Sequence, residues 1–378
     1  MPFELTSDQE MIRGVVAEFA AKELSGKPAE RIDRERRYPR EVMTKLAELG
    51  LLGMLVPPEQ GGPGTDAVAY AVAVEEIAKA SGTTAAAVTV ANALVAWPVA
   101  KYGSEAIRAK VLAPLLAGQA LGAWALAEPA SGSDLTAVQT RAEKSGDGYT
   151  LHGLKSFVTG APGADWFIVF AKVAGGDGLT AFVVPKDAEG LKVGPAEKSL
   201  SFKGLDMAQV YLHGVQVPSD MRLGDEGQGL AIATAAGDLH RLGVAAVAVG
   251  LMQAALDEAI GYSGERVQFR QKIREFQAIQ WKVADMDARI RASRLLVFAA
   301  AARRDAGADA AADIAAAKLF AGESAKLVTQ EGLRIHGGAG FMRDIPPERL
   351  NRDARATSVF GGTSEMSRAL LASRLLGL

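Results

Sequence analysis

Three short segments near the C-terminal end of the sequence decide the fold. They are His336-Gly337-Gly338-Ala339-Gly340-Phe341, Arg352-Asp353-Ala354-Arg355 and Phe360-Gly361-Gly362-Thr363-Ser364-Glu365. Glycine lets backbone amides approach a ligand closely, and the first turn of a helix presents unpaired N–H groups to an anion. The same glycines could instead serve only to cap and connect helices. The rest of the sequence has to decide between a ligand site and a simple connection.

The composition indicates a folded protein with a large core. The 378 residues are 49% hydrophobic and 23% charged, with a formal net charge of −2, which argues against nucleic acid as the main partner. The sequence has no cysteine, and its four histidines lack metal-ligand spacing, so we expect neither a disulfide nor a metal site. No basic-then-apolar leader and no run long enough to span a bilayer are evident, so we expect a soluble cytoplasmic protein.

The periodicity of apolar residues divides the sequence into three parts. Residues 1–121 are helical in pattern, with a capping sequence that starts at Thr6 and a second helix opened by Pro39. Residues 122–229 alternate short apolar runs with glycine turns, and residues 230–378 carry long apolar helix faces with short links. The expected fold is therefore α+β, with an N-terminal α-helical domain, a central β-barrel and a C-terminal four-helix bundle. The predicted strands are Tyr149–Leu151, Ser156–Thr159, Trp166–Val173, Thr180–Val184, Leu191–Val193 and Gln209–His213.

A set of short strings, spread over the whole chain in a fixed order, carries a family resemblance. The strings are Ala125–Pro129, Gly132–Asp134, Leu154–Thr159, Arg266–Phe269, Glu275–Ala278, Ala284–Met286, Ile335–Gly338, Arg352–Arg355 and Gly362–Glu365. Together they resemble the acyl-CoA dehydrogenase family of FAD flavoproteins. The resemblance implies the three-part fold in a homotetramer, with FAD held between the barrel and the bundles of two subunits. It also implies an acyl-CoA substrate and an electron-transferring flavoprotein as the electron acceptor.

The resemblance assigns two groups of residues to the cofactor. Positions that line the flavin in relatives correspond here to Leu126, Ala127, Ser133, Phe157, Thr159, Thr363 and Glu365. Positions that hold the adenosine diphosphate part from a neighbouring subunit correspond to Arg266, Phe269, Gln277, Arg334, Gly337 and Gly338. Arginine neutralises pyrophosphate and glycine amides approach it closely, so the residue types fit the task. Ala127, Arg270 and Arg334 depart from the threonine, glycine and glutamine that are common in the family.

The catalytic base is the main departure from the family pattern. Most members have a glutamate directly before the Gly-Thr pair, where this chain has Gly361, and a minority have it on the helix after the barrel, where this chain has His240. An imidazole with a pKa of about 6.5 is a competent general base near neutral pH. His240, with Arg241 beside it, is therefore the candidate catalytic site, and Asp238 is predicted to pair with Arg241 at i, i+3. His240 could equally well only line the pocket.

Three functions are compatible with these residues. The first is FAD-dependent α,β-dehydrogenation of an acyl-CoA, in which His240 replaces the usual glutamate. The second is non-dehydrogenating flavin chemistry on an acyl thioester, such as desulfination or the elimination of a β-substituent. The third is a catalytically silent subunit of a heteromeric acyl-CoA dehydrogenase. The sequence does not define the length or branching of the acyl chain.

Overall fold

The N-terminal part of the protein is helical. The computed structural model describes residues 4–36, 40–343 and 345–377, so Pro39 lies outside the described residues. The capping sequence predicted at Thr6 is confirmed, because the Thr6 side chain accepts from Gln9 N–H and the Gln9 side chain accepts from Thr6 N–H. The helices are α1 (Ser7–Glu23), α2 (Lys27–Glu35), α3 (Arg40–Glu48), α4 (Ala67–Ala80), α5 (Gly82–Thr89), α6 (Trp97–Tyr102), α7 (Glu105–Ile107) and α8 (Ala113–Leu116).

The central part is an eight-stranded sheet with the order β6-β7-β3-β2-β4-β5-β8, and β1 pairs with β4. Its strands are β1 (Gly122–Ala125), β2 (Arg141–Ser145), β3 (Gly148–Thr159), β4 (Trp166–Val173), β5 (Leu179–Pro185), β6 (Leu191–Val193), β7 (Met207–Pro218) and β8 (Arg222–Leu223). Within the described residues no pairing joins β6 to β8, so the predicted closed barrel is not confirmed. The two strands predicted at 149–151 and 156–159 are one long strand, β3, which a bulge interrupts between Lys155 and Val158.

The C-terminal part is helical, and its described residues form one helix more than the sequence predicted. A two-stranded hairpin of β9 (Val267–Gln268) and β10 (Gln271–Lys272) separates the first two helices. The prediction of four helices was wrong because α12 is short and strongly charged, and so it lacks the long apolar face that marks its neighbours. The division of the chain at residues 121 and 229 stays a prediction. The helices are α9 (Gly229–Glu265), α10 (Gln277–Asp305), α11 (Ala311–Ile335), α12 (Pro346–Ala356) and α13 (Ser364–Leu376).

The long helix α9 is the centre of the helical core. Gly250 of α9 lies against the α4 backbone so closely that an added Cβ would collide with Glu75 O, so this glycine sets the spacing of the two helices. Two helical stretches are long and apolar enough to span a membrane, although the sequence analysis expected no such run. They are Gly82–Tyr102, which includes α5 and α6, and Gly229–Glu265, which is α9. Their most apolar windows are 94% and 83% buried inside the protein, respectively, as in core helices.

Candidate active site

His240 and Gly361, the two positions at which the family resemblance places a base, lie side by side. His240 projects from α9, and Gly361 lies in the loop between α12 and α13. A Cβ added at Gly361 would lie 3.1 Å from His240 Nδ1 and 3.4 Å from Val244 Cγ2. The ring of Phe360 meets the His240 ring edge to face, with centroids 4.7 Å apart. The tertiary fold thus brings together two positions that are 121 residues apart in the sequence.

His240 is buried and electrically neutral. Its side chain is 3% exposed, and its Nε2 atom has no hydrogen-bond partner among the described residues. Burial, together with the positive charges of Arg241 and Lys318, lowers the pKa of His240 to about 3. A neutral imidazole has one nitrogen lone pair free to accept a proton, so His240 has the protonation state that a base requires. The same surroundings oppose the imidazolium that proton transfer would create.

A buried lysine holds the loop that contains Gly361. Lys318 of α11 is 1% exposed, and its ammonium donates a hydrogen bond to the Gly362 carbonyl. Burial, followed by the charge of Arg241, lowers the pKa of Lys318 to about 8. On the other side, Arg241 forms the predicted ion pair with Asp238. Lys318 therefore ties the loop to α11, and Arg241 Nε lies 3.7 Å from the position of a Cβ at Gly362.

The structure places two of the predicted flavin-lining residues, Leu126 and Ala127, against the part of β3 that contains Phe157. Ser156 N–H donates to Ala127 O at 2.9 Å, and the Lys155 ammonium donates to Leu126 O at 3.2 Å. The segment after β1 therefore lies along the bulge of β3. At that bulge Phe157 has a φ of 53°, and 66% of its side chain is exposed. Ser133 is also exposed and Thr159 is half-buried, so an open aromatic face and two hydroxyls are available to a planar, polar ring.

The buried ion pair of Glu128 and Lys155 lies next to these flavin-lining residues. The carboxylate of Glu128 accepts from Lys155 Nζ at 2.6 Å, from Gln139 N–H at 2.6 Å and from Thr140 N–H at 3.0 Å. Burial would raise the pKa of Glu128, but the hydrogen bonds from Lys155, Thr140 and Gln139 hold that pKa below its ordinary value. The Glu128 carboxylate therefore has a structural role: its hydrogen bonds hold residues 126–128 in place.

The residues predicted to hold adenosine diphosphate lie at the opposite end of α9. His240 and Arg266 are separated by 26 residues of this helix, which is about 39 Å at 1.5 Å per residue. Phe269 is 89% exposed and has a φ of 50°, while Arg266, Gln277, Arg334, Gly337 and Gly338 are also exposed. His336 stacks on Tyr262 at 4.4 Å, which places the glycine turn beside the end of α9. In one chain, the predicted adenosine diphosphate group is therefore distant from the candidate base along α9.

The last two predicted cofactor residues lie at the start of α13. The hydroxyl of Thr363 caps this helix by accepting from Met366 N–H at 3.2 Å, and Glu365 is exposed and paired with Arg368. The sequence interpretation missed Lys318 and Phe360 at the site. Lys318 sits in an apolar stretch of α11, and a lone lysine on a buried helix face was the available signal. Phe360 carried no separate signal.

Comparisons with known proteins agree with this geometry. The acyl-CoA dehydrogenase N-terminal, middle and C-terminal domains match residues 6–119, 123–215 and 227–376. The chain is 39% identical to a 3-(aryl)acrylate reductase of Clostridium sporogenes, covering 98% of this chain and 99% of that one. It is 37% identical to a short-chain specific acyl-CoA dehydrogenase of Clostridium acetobutylicum, covering 99% and 100%. Butyryl-CoA dehydrogenase from Megasphaera elsdenii superposes with a TM-score of 0.95 at 37% identity over both whole chains. The chain belongs to the acyl-CoA dehydrogenase family of FAD flavoenzymes.

Proposed function

We propose that this protein is a FAD-dependent acyl-CoA dehydrogenase that uses His240, in place of a glutamate, to accept the α-proton of its substrate. The observation that carries the proposal is the contact between His240 and Gly361. Both positions of the family's carboxylate base meet there, and the only proton acceptor that the two positions supply is the imidazole. Relatives named as acyl-CoA dehydrogenases favour this reaction over desulfination and over a silent subunit.

The environment of His240 fits a base that works in a dry site. Its Nε2 atom is buried without a partner among the described residues, which costs about 1–3 kcal/mol unless a ligand interacts with it. Phe360 covers the ring and excludes water from it. The nearby charges of Arg241 and Lys318 oppose the imidazolium but favour an enolate that forms on the substrate. These residues would hold the substrate, exclude water and take up one proton.

FAD accepts the β-hydrogen as a hydride in this family, and the exposed residues of the sheet fit its ring. Phe157, Ser133 and Thr159 would contact the isoalloxazine, with Leu126, Ala127, Thr363 and Glu365 around it. Arg266, Phe269, Gln277, Arg334, Gly337 and Gly338 would hold the adenosine diphosphate of a second subunit. The separation of about 39 Å along α9 between His240 and Arg266 supports that assignment, because it favours a site in which each of two copies supplies one part. We further propose a cytoplasmic homotetramer that passes electrons to an electron-transferring flavoprotein.

Anaerobic titration of the purified holoenzyme tests the proposed function. A panel of saturated CoA thioesters, beginning with butyryl-CoA, is expected to bleach the flavin absorbance. In the His240→Ala variant the bleaching is expected to slow by about 100-fold or more, because a positioned base contributes about 10²–10⁴ to the rate. His213→Ala, which removes an exposed histidine of β7, serves as the matched control and should bleach normally. Absence of bleaching by every thioester, with FAD intact, would reject dehydrogenation, and an unaffected His240→Ala would reject the base.

A further inference from the structure

Phe202, in the loop between β6 and β7, is buried in a strained backbone conformation. Its side chain is 6% exposed, and its φ of 49° lies in the left-handed region, where large side chains are rare. A residue in this region persists only where the surrounding structure offsets the strain. Phe202 therefore owes its conformation to the contacts around it.

The backbone of Phe202 is held by Asp353 of α12. Phe202 N–H donates to Asp353 Oδ1 at 2.9 Å, and Asp353 is 1% exposed. Burial raises the pKa of Asp353 to about 6, so the group is mainly ionised at neutral pH, and an ionised acceptor strengthens the hydrogen bond. A Cβ added at Gly82 would lie 3.2 Å from Asp353 Oδ2 and 3.3 Å from Phe202 Cε1. Asp353 and Phe202 thus pack together against the start of α5.

The ring of Phe202 connects this hydrogen bond to the candidate base. It meets the Phe360 ring edge to face, with centroids 5.9 Å apart, and the Phe360 ring in turn meets the His240 ring at 4.7 Å. His240 Nε2 has no hydrogen-bond partner among the described residues, so packing, rather than a hydrogen bond at this atom, orients the ring. Because protein interiors are close-packed, a displacement of Phe202 is transmitted to Phe360 and then to His240.

We propose that Asp353 and Phe202 are positioning residues for His240. Asp353 fixes the backbone of Phe202, whose ring holds Phe360, and Phe360 holds the imidazole in the orientation in which it accepts the α-proton. This inference rests on the proposed function and adds to it two residues that belong neither to the base positions nor to the predicted cofactor positions. A misplacement of about 1 Å caused far from the chemistry can slow a reaction by about 100-fold, so packing around the base is sufficient to affect the rate.

Two variants of Asp353 test the inference through the rate at which butyryl-CoA reduces the flavin. Asp353→Ala removes the acceptor and is expected to lower the rate per bound FAD at least about tenfold, while the Kd of butyryl-CoA changes little. Asp353→Asn keeps an oxygen acceptor for Phe202 N–H and should retain most of the wild-type rate. A purely structural role would lower the yield of folded holoenzyme and leave the rate per FAD unchanged. A wild-type rate in Asp353→Ala would overturn the inference.

Asp165→Ala is the matched control for Asp353→Ala. It also removes a carboxylate that accepts a backbone N–H, in this case from Leu121 at 2.9 Å, and it should reduce the flavin at the wild-type rate. Equal slowing by the two variants would overturn the inference. Phe202→Leu keeps most of the apolar volume but removes the ring, so it tests the inference if Asp353→Ala does not fold. It is expected to slow flavin reduction at least about fivefold.

A double-mutant cycle tests whether the effect passes through His240. If Phe202→Leu acts by misplacing the imidazole, it should have no further effect on the residual rate of the His240→Ala variant. Equal slowing by Phe202→Leu in the wild-type and His240→Ala backgrounds would overturn the inference.

Crystal structures of the wild-type and Asp353→Ala holoenzymes separate this inference from the proposed function, since they require no reaction. We expect the φ of Phe202 to leave the left-handed region in the variant and the His240 ring to change its orientation. A His240 ring in its wild-type orientation would overturn the inference even in an active dehydrogenase. If no thioester reduces the flavin but the ring reorients, the dehydrogenase function is wrong and the positioning of His240 by Asp353 stands.

Discussion

His240 Nδ1 lies 3.1 Å from the point at which Gly361 would carry a Cβ. The helix after the sheet and the loop before α13 therefore cannot both present a large side chain at this point without rearrangement. A side chain on one of them requires a small residue on the other, and this chain places an imidazole on the helix. This reciprocal packing is the structural reason that the two base positions exclude each other here.

The contact predicts the effect of Gly361→Ala. The new methyl group would contact the His240 ring, and alanine at a φ of 71° costs about 1–2 kcal/mol. We expect urea unfolding to show a loss of roughly that size. In the His240→Ala background the loss should shrink but not vanish, since the backbone strain persists without the contact. A Gly361→Ala variant as stable as the wild type would contradict this packing.

The buried neutral state of His240 predicts a pH dependence of stability. Its pKa is about 3 in the folded protein and about 6.5 when unfolded, so the native state binds fewer protons between those values. The contribution of His240 to the free energy of unfolding should therefore fall by about 1.4 kcal/mol for each pH unit from about 6.5 down to about 3. Asp353, whose pKa burial raises to about 6, acts in the opposite direction.

Comparison with His240→Gln isolates this effect, because Asp353 is present in both proteins. The free energy of unfolding of wild type and of His240→Gln is measured with urea from pH 7 to pH 5. Because unfolding of the wild type takes up one more proton, the difference between the two values should change by about 1.4 kcal/mol for each pH unit below about 6.5. The change should be in the direction that disfavours the wild type at low pH. A constant difference across this range would show that His240 is solvated or charged in the native state.

Breaking the buried ion pair of Glu128 and Lys155 should lower both the stability of the protein and its FAD content. Glu128→Gln alone leaves the Lys155 ammonium buried without a charge partner and should cost about 3–5 kcal/mol. Because the pair fixes residues 126–128 beside Phe157, FAD content should fall as well. The double variant Glu128→Gln/Lys155→Met should recover part of the stability, as judged by thermal unfolding and flavin absorbance. Additive losses in the double variant would exclude direct coupling.

The hairpin after α9 predicts an ionic contribution to FAD binding. Arg266→Ala should weaken FAD binding by at least about tenfold, through loss of a charge-assisted hydrogen bond to pyrophosphate. The weakening should diminish at high salt, and sedimentation should report whether subunit association changes with it. Arg291→Ala, which removes an exposed arginine of α10 paired with Asp287, is the control and should retain FAD. Normal FAD affinity in Arg266→Ala would remove this residue from the cofactor site.

Local sequence features predicted much of the secondary structure. The run Trp166–Val173, apolar except for Lys172, predicts β4 with its observed bounds, and the alanine-rich stretch from residue 83 is a buried helix. The strand β2 was missed because four of its five residues are exposed, so it has no apolar run. The helix α12 was missed because it is short and strongly charged, so it has no long apolar face. Whether the sheet closes into a barrel depends on long-range strand pairing, which local periodicity does not contain.

The sequence by itself determined the family resemblance, the absence of a glutamate at position 361 and the histidine at position 240. It also predicted the pairing of Asp238 with Arg241, because that pairing depends only on helix geometry. Only the tertiary structure decided that His240 and Gly361 touch, that Lys318 reaches the Gly362 carbonyl and that His240 is buried. The physical reason is that burial and charge at a site arise from segments distant in the chain, and these set the pKa of a base. A residue's identity gives its chemistry, but its neighbours in the fold determine how that chemistry can be used.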